Sequence, residues 1–271
     1  MSGHSPNNPI PIVQCPNGAS AHSPGLPVLA GYPGSEAHTH PQPHRGCDLP
    51  GRVGHGSISN HPLSVIRGDN TTAVVMRVDT CLPRRSFEGV QLQRQAARRA
   101  LIECAALCGA PSDGWEQNEG GRPLPNQGWH WSISHKHEWV AAVVAREPIG
   151  IDIESIVPRR DELLFDKVAD ASEWALVGSR NWENFYRIWT AKEAVLKAKG
   201  LGIGHLLECR MLDITTNKKH AFSYGDTPNS PRWRFSSEDE SWEVRHFEHH
   251  DAVFAVAMRG QRTEMNEHRN A

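Results

Sequence analysis

The sequence predicts a mixed α+β fold built from two lobes. Its 271 residues are enough for one enzyme-sized unit of about two small lobes. The first half reads as strand, helix, loop and hairpin, and the second half reads as helices followed by strands. This order favours antiparallel sheets with helices packed against them.

The two ends of the chain differ in composition from its middle. Residues 1–62 hold eleven of the nineteen prolines and seven of the sixteen histidines, without a sustained apolar period. Such a segment buries too little apolar surface to offset its chain entropy, so we expect a low-complexity, disordered tail. Residues 261–271 are polar, and we expect them to fray. Between these ends we expect an N-terminal lobe over residues 71–148 and a C-terminal lobe over residues 149–260.

Five elements are expected before residue 155. A buried strand covers residues 72–78, and a helix with one apolar side covers residues 90–108. A loop rich in Gly, Pro, Asn and Asp follows. Strands over residues 129–134 and 139–145 form an antiparallel hairpin, which continues through a proline-containing turn into a strand over residues 149–154.

The strand over residues 149–154 alternates apolar and acidic side chains. With a period of two, Asp152 and Glu154 lie on one face, and Ile151 and Ile153 lie on the other. Two carboxylates therefore share one face of the sheet.

A helix is expected to end at residue 200. Apolar residues recur there at three- and four-residue spacing, namely Phe185, Ile188, Trp189, Val195 and Leu196. Asn181 or Asn184 can cap its start, and Gly200 can end it. Glu193 and Lys197 are four residues apart and share one side of this helix.

Packing of this helix on the 149–154 strand would bring three carboxylates and one lysine together. Asp152, Glu154 and Glu193 supply the oxygen ligands that a hard cation such as Mg²⁺ prefers when it also holds a phosphate. Each part alone is also typical of an ordinary surface, because charge pairs on strands are usually solvated. A Glu–Lys pair at four residues on a helix usually adds only a few tenths of a kcal/mol.

The chain after residue 200 is expected to consist mostly of strands. Alternating or apolar runs predict a closing antiparallel sheet from strands over residues 209–214, 232–235, 242–247 and 252–257. This sheet completes the C-terminal lobe.

Composition excludes several classes of protein. The net charge of -2 gives no general case for binding nucleic acid or an anionic membrane. There is no apolar run of roughly 18 residues and no basic, apolar leader, so we expect a cytosolic protein. The cysteines have no zinc-ribbon spacing and receive no metal or redox role: they are Cys15, Cys47, Cys81, Cys104, Cys108 and Cys209.

Four motifs together resemble one family. The chain contains Gly150-x-Asp152-x-Glu154, then Trp189-x-x-Lys192-Glu193-Ala194-x-x-Lys197, preceded by Gly121-Arg122-Pro123 and by Trp131-Ser132-Ile133-Ser134-His135. Their order and gaps resemble the 4′-phosphopantetheinyl transferases, in particular the longer, surfactin-synthetase-activating type. The resemblance runs from Arg94 to about Gly204 and does not reach the first 62 residues.

The resemblance implies a fold and an activity. Members of this type have two similar lobes related by a pseudo-twofold axis, and they act as monomers with coenzyme A and Mg²⁺ in the cleft between the lobes. They move the phosphopantetheine arm of coenzyme A onto a serine of an apo acyl, peptidyl or aryl carrier protein and release 3′,5′-ADP. Mn²⁺ is a possible substitute for Mg²⁺.

The resemblance also implies roles for individual residues. Asp152, Glu154 and Glu193 are the expected metal ligands, and Glu193 and Lys197 are the expected catalytic residues, with Glu193 or a water on the metal as the base. The expected contacts to coenzyme A are a separate set: Arg98, Arg99, Arg122, Ser134, His135, Lys192 and Lys197. Which arginine of the 90–108 helix meets a phosphate stays open, with Arg94 as a further candidate.

Two other functions stay open from the sequence. A Mg²⁺-dependent nuclease or phosphoesterase also uses clustered carboxylates and a lysine, but the missing positive charge argues against a polynucleotide substrate. A degenerate family member could bind coenzyme A or a carrier protein without turnover. The intact acidic positions disfavour this alternative.

Overall fold

The computed structural model of the chain describes residues 57–58, 64–68, 71–79, 86–136, 138–216, 231–249 and 251–260. All of these belong to the larger of two contact units, which covers residues 37–271. The tail predicted over residues 1–62 lies outside the described residues, except that residues 57–58 form a strand. The fraying predicted for residues 261–271 lies outside them entirely.

The first sheet is antiparallel and has five strands. They are β1 (Ser57–Ile58), β2 (Ser64–Gly68), β3 (Thr71–Asp79), β4 (His130–Lys136) and β5 (Trp139–Ala145). The order is β1-β3-β5-β4, and β2 also pairs with β3. The sheet therefore begins at residue 57, earlier than the strand predicted from residue 72. Helix α1 (Phe87–Cys108) begins at the cap Ser86 and ends at Gly109.

The second sheet is also antiparallel and has five strands. They are β6 (Ile149–Ser155), β7 (Arg210–Thr216), β8 (Pro231–Ser237), β9 (Glu240–His249) and β10 (Ala252–Arg259). Their order is β6-β10-β9-β8-β7. Three helices lie between β6 and β7 in the chain, namely α2 (Leu164–Val168), α3 (Ala171–Val177) and α4 (Trp182–Lys199). None of the helices in the described part of the chain is long and apolar enough to cross a bilayer.

Three apolar clusters arrange these elements in four layers. One cluster joins α1 to the first sheet, and a second fills the space between the two sheets. The third joins the far face of the second sheet to α2, α3 and α4. The order of layers is therefore helix, sheet, sheet, helices, which confirms the α+β class with two antiparallel sheets. The lobe boundary at residues 148 and 149 and the pseudo-twofold axis stay predictions.

One predicted strand pairing is wrong. β4 and β5 form the predicted hairpin, but β6 does not continue it. Both edges of β5 are already occupied, by β3 and β4, so β6 pairs instead with β10 in the second sheet. β6 still lies beside β4, because the backbone N–H of Ile151 donates to Ser132 Oγ at 3.2 Å. The two sheets meet at this junction.

Helix α4 lies directly on β6. Asn181 caps its start by accepting from the N–H of Asn184, and Gly200 ends it in the left-handed conformation at φ 69°, as the sequence predicts. A Cβ on Gly150 would lie 1.9 Å from the carbonyl oxygen of Ala194. Only glycine permits this approach, which brings the polar side of α4 onto the acidic face of β6.

Candidate active site

A buried hydrogen-bonded group forms where β4, β6 and α4 meet. Lys197 Nζ lies 2.6 Å from Asp152 Oδ1 and donates to Ser134 Oγ at 3.0 Å. Ser134 Oγ donates to the same oxygen of Asp152 at 2.8 Å. The predicted meeting of Asp152 and Lys197 thus occurs. Ser134 orients Asp152, and its expected contact to coenzyme A stays a prediction.

A second lysine, absent from the sequence-based site, neutralises Glu154. Lys136 Nζ donates to Glu154 Oε1 at 2.9 Å and lies 2.8 Å from Oε2, where the contact is an ion pair without hydrogen-bond geometry. The signal that could have found it is the period of two along β4, which puts Ser134 and Lys136 on the same face. This signal indicates a site residue only when β4 is known to lie beside β6.

Glu193 lies within the field of the same charges. Burial raises its pKa, the negative charges of Asp152 and Glu154 raise it further, and Lys197 lowers it, with a result of about 7. Burial and Asp152 likewise raise the pKa of Glu154. Burial lowers the pKa of Lys197, but the three carboxylates outweigh it, so its pKa is raised and it stays charged. The cluster has too much negative charge for its two lysines.

These residues fit a divalent cation by their chemistry. Oδ2 of Asp152 is buried and accepts no hydrogen bond from any residue in the described part of the chain. An orphaned carboxylate oxygen beside two more carboxylates is the donor set of Mg²⁺ or Mn²⁺. No group of three or more His, Cys, Asp or Glu among the described residues is already arranged to hold a metal ion. In the structure two of these carboxylates are paired with lysines, Asp152 with Lys197 and Glu154 with Lys136.

A cavity of about 300 Å³ opens beside this cluster. Its walls include Arg122, His130, Trp131, Pro148 and Lys197. Lys197 therefore faces both the cavity and Asp152. Arg122 packs over the end of α4, where a Cβ on Gly200 would lie 2.1 Å from its Nε. The predicted residues Arg122 and Lys197 thus share one cavity.

His135 lies on the opposite face of β4 from Ser134, and its side chain is exposed. Desolvation by the surrounding protein lowers its pKa, and the positive charges of Lys197 and Arg94 lower it further. The ring is therefore neutral at pH 7 and can donate one hydrogen bond. Arg94 is the arginine of α1 whose charge reaches His135.

The other predicted basic residues lie in different surroundings. Arg98 donates to the carbonyl of Trp115 at 2.7 Å and lies 5.4 Å from the ring centre of Trp131. Arg99 is half-buried and already has an interaction partner. These contacts hold Arg98 against Trp115 and against Trp131 of β4.

The structure does not bring Lys192 to the site. Its side chain is fully buried, and Nζ lies 2.8 Å from Glu173 Oε1. The same oxygen of Glu173 accepts from the backbone N–H of Met211, which joins α3 and α4 to β7. A buried lysine with this partner cannot reach a phosphate, so it is not carried into the proposals below. A signal for this was present in the sequence: adjacent helix residues differ in direction by about 100°, and Lys192 is spaced by four and three residues from the buried Ile188 and Val195.

Comparisons with known proteins point to one family. A sequence model described as "4'-phosphopantetheinyl transferase superfamily" matches residues 148–257, which include Asp152, Glu154, Glu193 and Lys197. The chain is 32% identical over 93 residues to the "4'-phosphopantetheinyl transferase gsp" of Aneurinibacillus migulanus, covering 33% of this chain and 39% of that protein. It is 34% identical over 92 residues to the "4'-phosphopantetheinyl transferase Sfp" of Bacillus subtilis (strain 168), covering 31% and 40%.

A longer alignment decides the family. The chain spans only about two fifths of the length of the gsp and Sfp proteins. To the "4'-phosphopantetheinyl transferase ffp" of Bacillus subtilis it is 33% identical over 165 residues, which is 55% of this chain and 70% of that protein. With this coverage and the intact acidic motifs of β6 and α4, the chain belongs to the 4′-phosphopantetheinyl transferase superfamily.

Proposed function

We propose that this protein transfers the 4′-phosphopantetheine arm of coenzyme A to a serine hydroxyl of an apo acyl, peptidyl or aryl carrier protein. The observation that carries the proposal is the position of Lys197, which contacts Asp152 at 2.6 Å and lines the cavity that holds Arg122. A lysine in this place can act on a phosphate lying between the cavity and the carboxylates. The proposal includes a monomer in the cytosol, as expected from the sequence.

Side chains of the cavity and of the neighbouring surface bind the parts of coenzyme A that do not react. The Arg122 guanidinium can form a forked pair with a phosphate, and neutral His135 can donate to another from the exposed edge. Arg94, near His135, adds positive charge on that side. These groups hold the nucleotide end while the pyrophosphate lies toward Lys197.

The transfer itself needs a base and a cation at fixed places. The serine oxygen of the carrier forms a bond to the β-phosphorus of coenzyme A, and the bond from that phosphorus to 3′,5′-ADP breaks. Glu193, or a water that it orients, accepts the serine proton. Lys197 donates to the phosphoryl oxygens, held in place by Asp152 and Ser134.

Asp152, Glu154 and Glu193 would hold the Mg²⁺ or Mn²⁺ ion of the reaction. When bound, that ion supplies positive charge at the pyrophosphate. The support for this assignment is the orphaned Oδ2 of Asp152 and the all-oxygen character of the three side chains.

The test is the mass of an apo carrier protein after incubation with coenzyme A and Mg²⁺. We expect the wild type to add one phosphopantetheine unit and Glu193→Gln to lose roughly a hundredfold or more in rate, the scale of losing a general base. Glu183→Gln is a matched control, because Glu183 lies on the same helix but pairs with Arg187 at the surface. It should transfer at the wild-type rate.

Other outcomes select other functions. A folded Glu193→Gln protein with the wild-type rate would contradict the mechanism. A wild type that binds coenzyme A but modifies no carrier would favour a degenerate binder, and release of phosphate without any carrier would favour a phosphoesterase.

A further inference from the structure

Two lysines pair with carboxylates of the site, and the proposed transfer uses only one of them. Lys197 pairs with Asp152 and faces the cavity. Lys136 pairs with Glu154 from the neighbouring strand β4 and has no role in the transfer as described. It needs a separate explanation.

The surroundings of Lys136 allow it to move. About one third of its side chain is exposed, whereas that of Glu154 is about one tenth exposed. Lysine is a charge on a flexible four-carbon stem, so it can leave a partner at little steric cost. Ser132 and Ser134, which share its face of β4, are buried and fixed by hydrogen bonds to β6. Lys136 is therefore the movable member of this row.

Lys136 also occupies the carboxylate oxygens that a cation needs. Its ammonium lies within 2.9 Å of both carboxylate oxygens of Glu154. A divalent cation that uses Glu154 must approach those same oxygens, while Oδ2 of Asp152 is already without a partner. Two positive charges cannot share that approach, because their repulsion at a few ångströms costs several kcal/mol at an effective dielectric of about 20. One must leave.

We propose that Lys136 is an exchangeable counterion of Glu154: a divalent cation displaces its ammonium, which then binds the pyrophosphate of coenzyme A. The inference rests on the proposed function for the identity of that second anion. By linkage, coenzyme A then strengthens cation binding and the cation strengthens coenzyme A binding by the same factor. Lys136 is thus a substrate-binding residue that couples the two ligands.

The test is a calorimetric titration of Mg²⁺ into the protein, first alone and then with saturating coenzyme A, without a carrier so that no transfer occurs. In Lys136→Met we expect Mg²⁺ alone to bind roughly five- to tenfold tighter, because its competitor is gone. The tightening that coenzyme A adds in the wild type should shrink toward none. Lys136→Arg keeps the charge and should stay near the wild type for Mg²⁺ alone.

A matched control is Arg77→Met, which removes a 2.8 Å ion pair between β3 and Glu138 in the turn that joins β4 to β5. It should leave Mg²⁺ binding unchanged, and circular dichroism melts should show that every variant is folded. Unchanged or weaker Mg²⁺ binding in Lys136→Met would overturn the inference, as would a wild type that binds no Mg²⁺. Tighter Mg²⁺ binding in Lys136→Met beside a wild type that modifies no carrier would support the counterion and overturn only the transfer.

Discussion

Glu193 is held where its charge is disfavoured. The carboxyl group is largely buried and faces Asp152 and Glu154, which carry the same charge. Its environment therefore costs stability whenever it is ionised, unless a cation arrives. A site that binds a cation is expected to have this property. The repulsion among its carboxylates, which lowers stability, is relieved when the cation binds.

The pH dependence of stability should reveal this cost. Glu193 has a folded pKa of about 7 against an ordinary 4.5, so between those values the native state keeps a proton that the unfolded state has lost. The free energy of unfolding should therefore fall as pH rises from about 4.5 to 7. In EDTA at pH 8, Glu193→Gln should be more stable than the wild type by on the order of 1 to 3 kcal/mol, and at pH 4 the two should match.

Urea denaturation across this range measures the difference. Adding Mg²⁺ at pH 8 should stabilise the wild type and leave Glu193→Gln nearly unchanged. A wild type that is more stable than Glu193→Gln at pH 8 in EDTA would contradict the unfavourable charge.

Arg122 is expected to act on binding and not on the chemical step. It lines the cavity and would contact a phosphate that is unchanged by transfer, so Arg122→Ala should raise KM for coenzyme A about tenfold and change kcat less. His135→Ala should behave in the same direction. Arg146→Ala is a control, because Arg146 stacks on Trp129 at 3.8 Å and is not among the cavity residues. An unchanged KM in both site variants would remove these residues from the site.

At the scale of single residues, the sequence predicts those site residues whose direction follows from the period of their own strand or helix. Asp152 and Glu154 follow the period of a strand, and Glu193 and Lys197 follow that of a helix, so each pair could be found without the fold. Lys136 could not be found, because its role depends on which strand lies next to β4. Lys192 points into the core toward Glu173, and its helical spacing from Ile188 and Val195 is the local pattern that indicates this.

Between elements, the contact of α4 with β6 builds the site. The helix backbone touches the strand backbone at Gly150, and this contact brings Glu193 and Lys197 to the acidic face of the strand. The caps at Asn181 and Gly200 fix where the helix begins and ends. The close contact at Gly150 fixes which side of the helix faces the strand.

Gly150→Ala should disturb stability and activity together. The new Cβ would meet the carbonyl oxygen of Ala194 at 1.9 Å, and a backbone atom cannot rotate away. We expect a loss of about 1 to 3 kcal/mol in the free energy of unfolding, with reduced transfer in the protein that remains folded. Denaturation and carrier assays at one temperature measure both.

Gly202→Ala is the matched control for this change. Gly202 has φ -87° and no atom within 4 Å of a new Cβ, so the substitution should be nearly neutral. Equal stability of the two alanine variants would show that the close approach at Gly150 is not needed.

Element types and ends were predicted better than pairings. The caps Gly109 of α1 and Gly200 of α4 act through neighbours in sequence, whereas α1 begins at Phe87, three residues before the predicted start. The partner of β6 is β10, about a hundred residues later, and no local pattern encodes that choice. The continuation of the first hairpin into β6 was therefore wrong, although the strand itself was right.

For the molecule as a whole, the four layers place the site under α4, at the edge where β4 of the first sheet meets β6 of the second. Ser134 and Lys136 come from one sheet, and Asp152 and Glu154 come from the other. Neither sheet holds the complete group of charges, so the site exists only when the layers are assembled.

The described part of the first sheet begins at Ser57, which sets the limit for truncation. Deleting residues 1–56 should leave folding and transfer intact, since this stretch has little capacity to form a core. Deleting residues 1–68 also removes β1 and β2, both paired with β3, and should lower the melting temperature. Circular dichroism melts and the carrier assay compare the two, and loss of soluble protein in the shorter deletion would contradict the expectation.

The meeting of β4 and β6 has a consequence for solubility. Each is the last strand of its sheet, and such edges are sites where chains can pair with one another and aggregate. Here each edge lies against the other, and Ser132 Oγ accepts the N–H of Ile151 that would otherwise be open. Side chains that hold the site together thus also cover two edges, so variants that loosen this junction should be prone to self-association before they unfold.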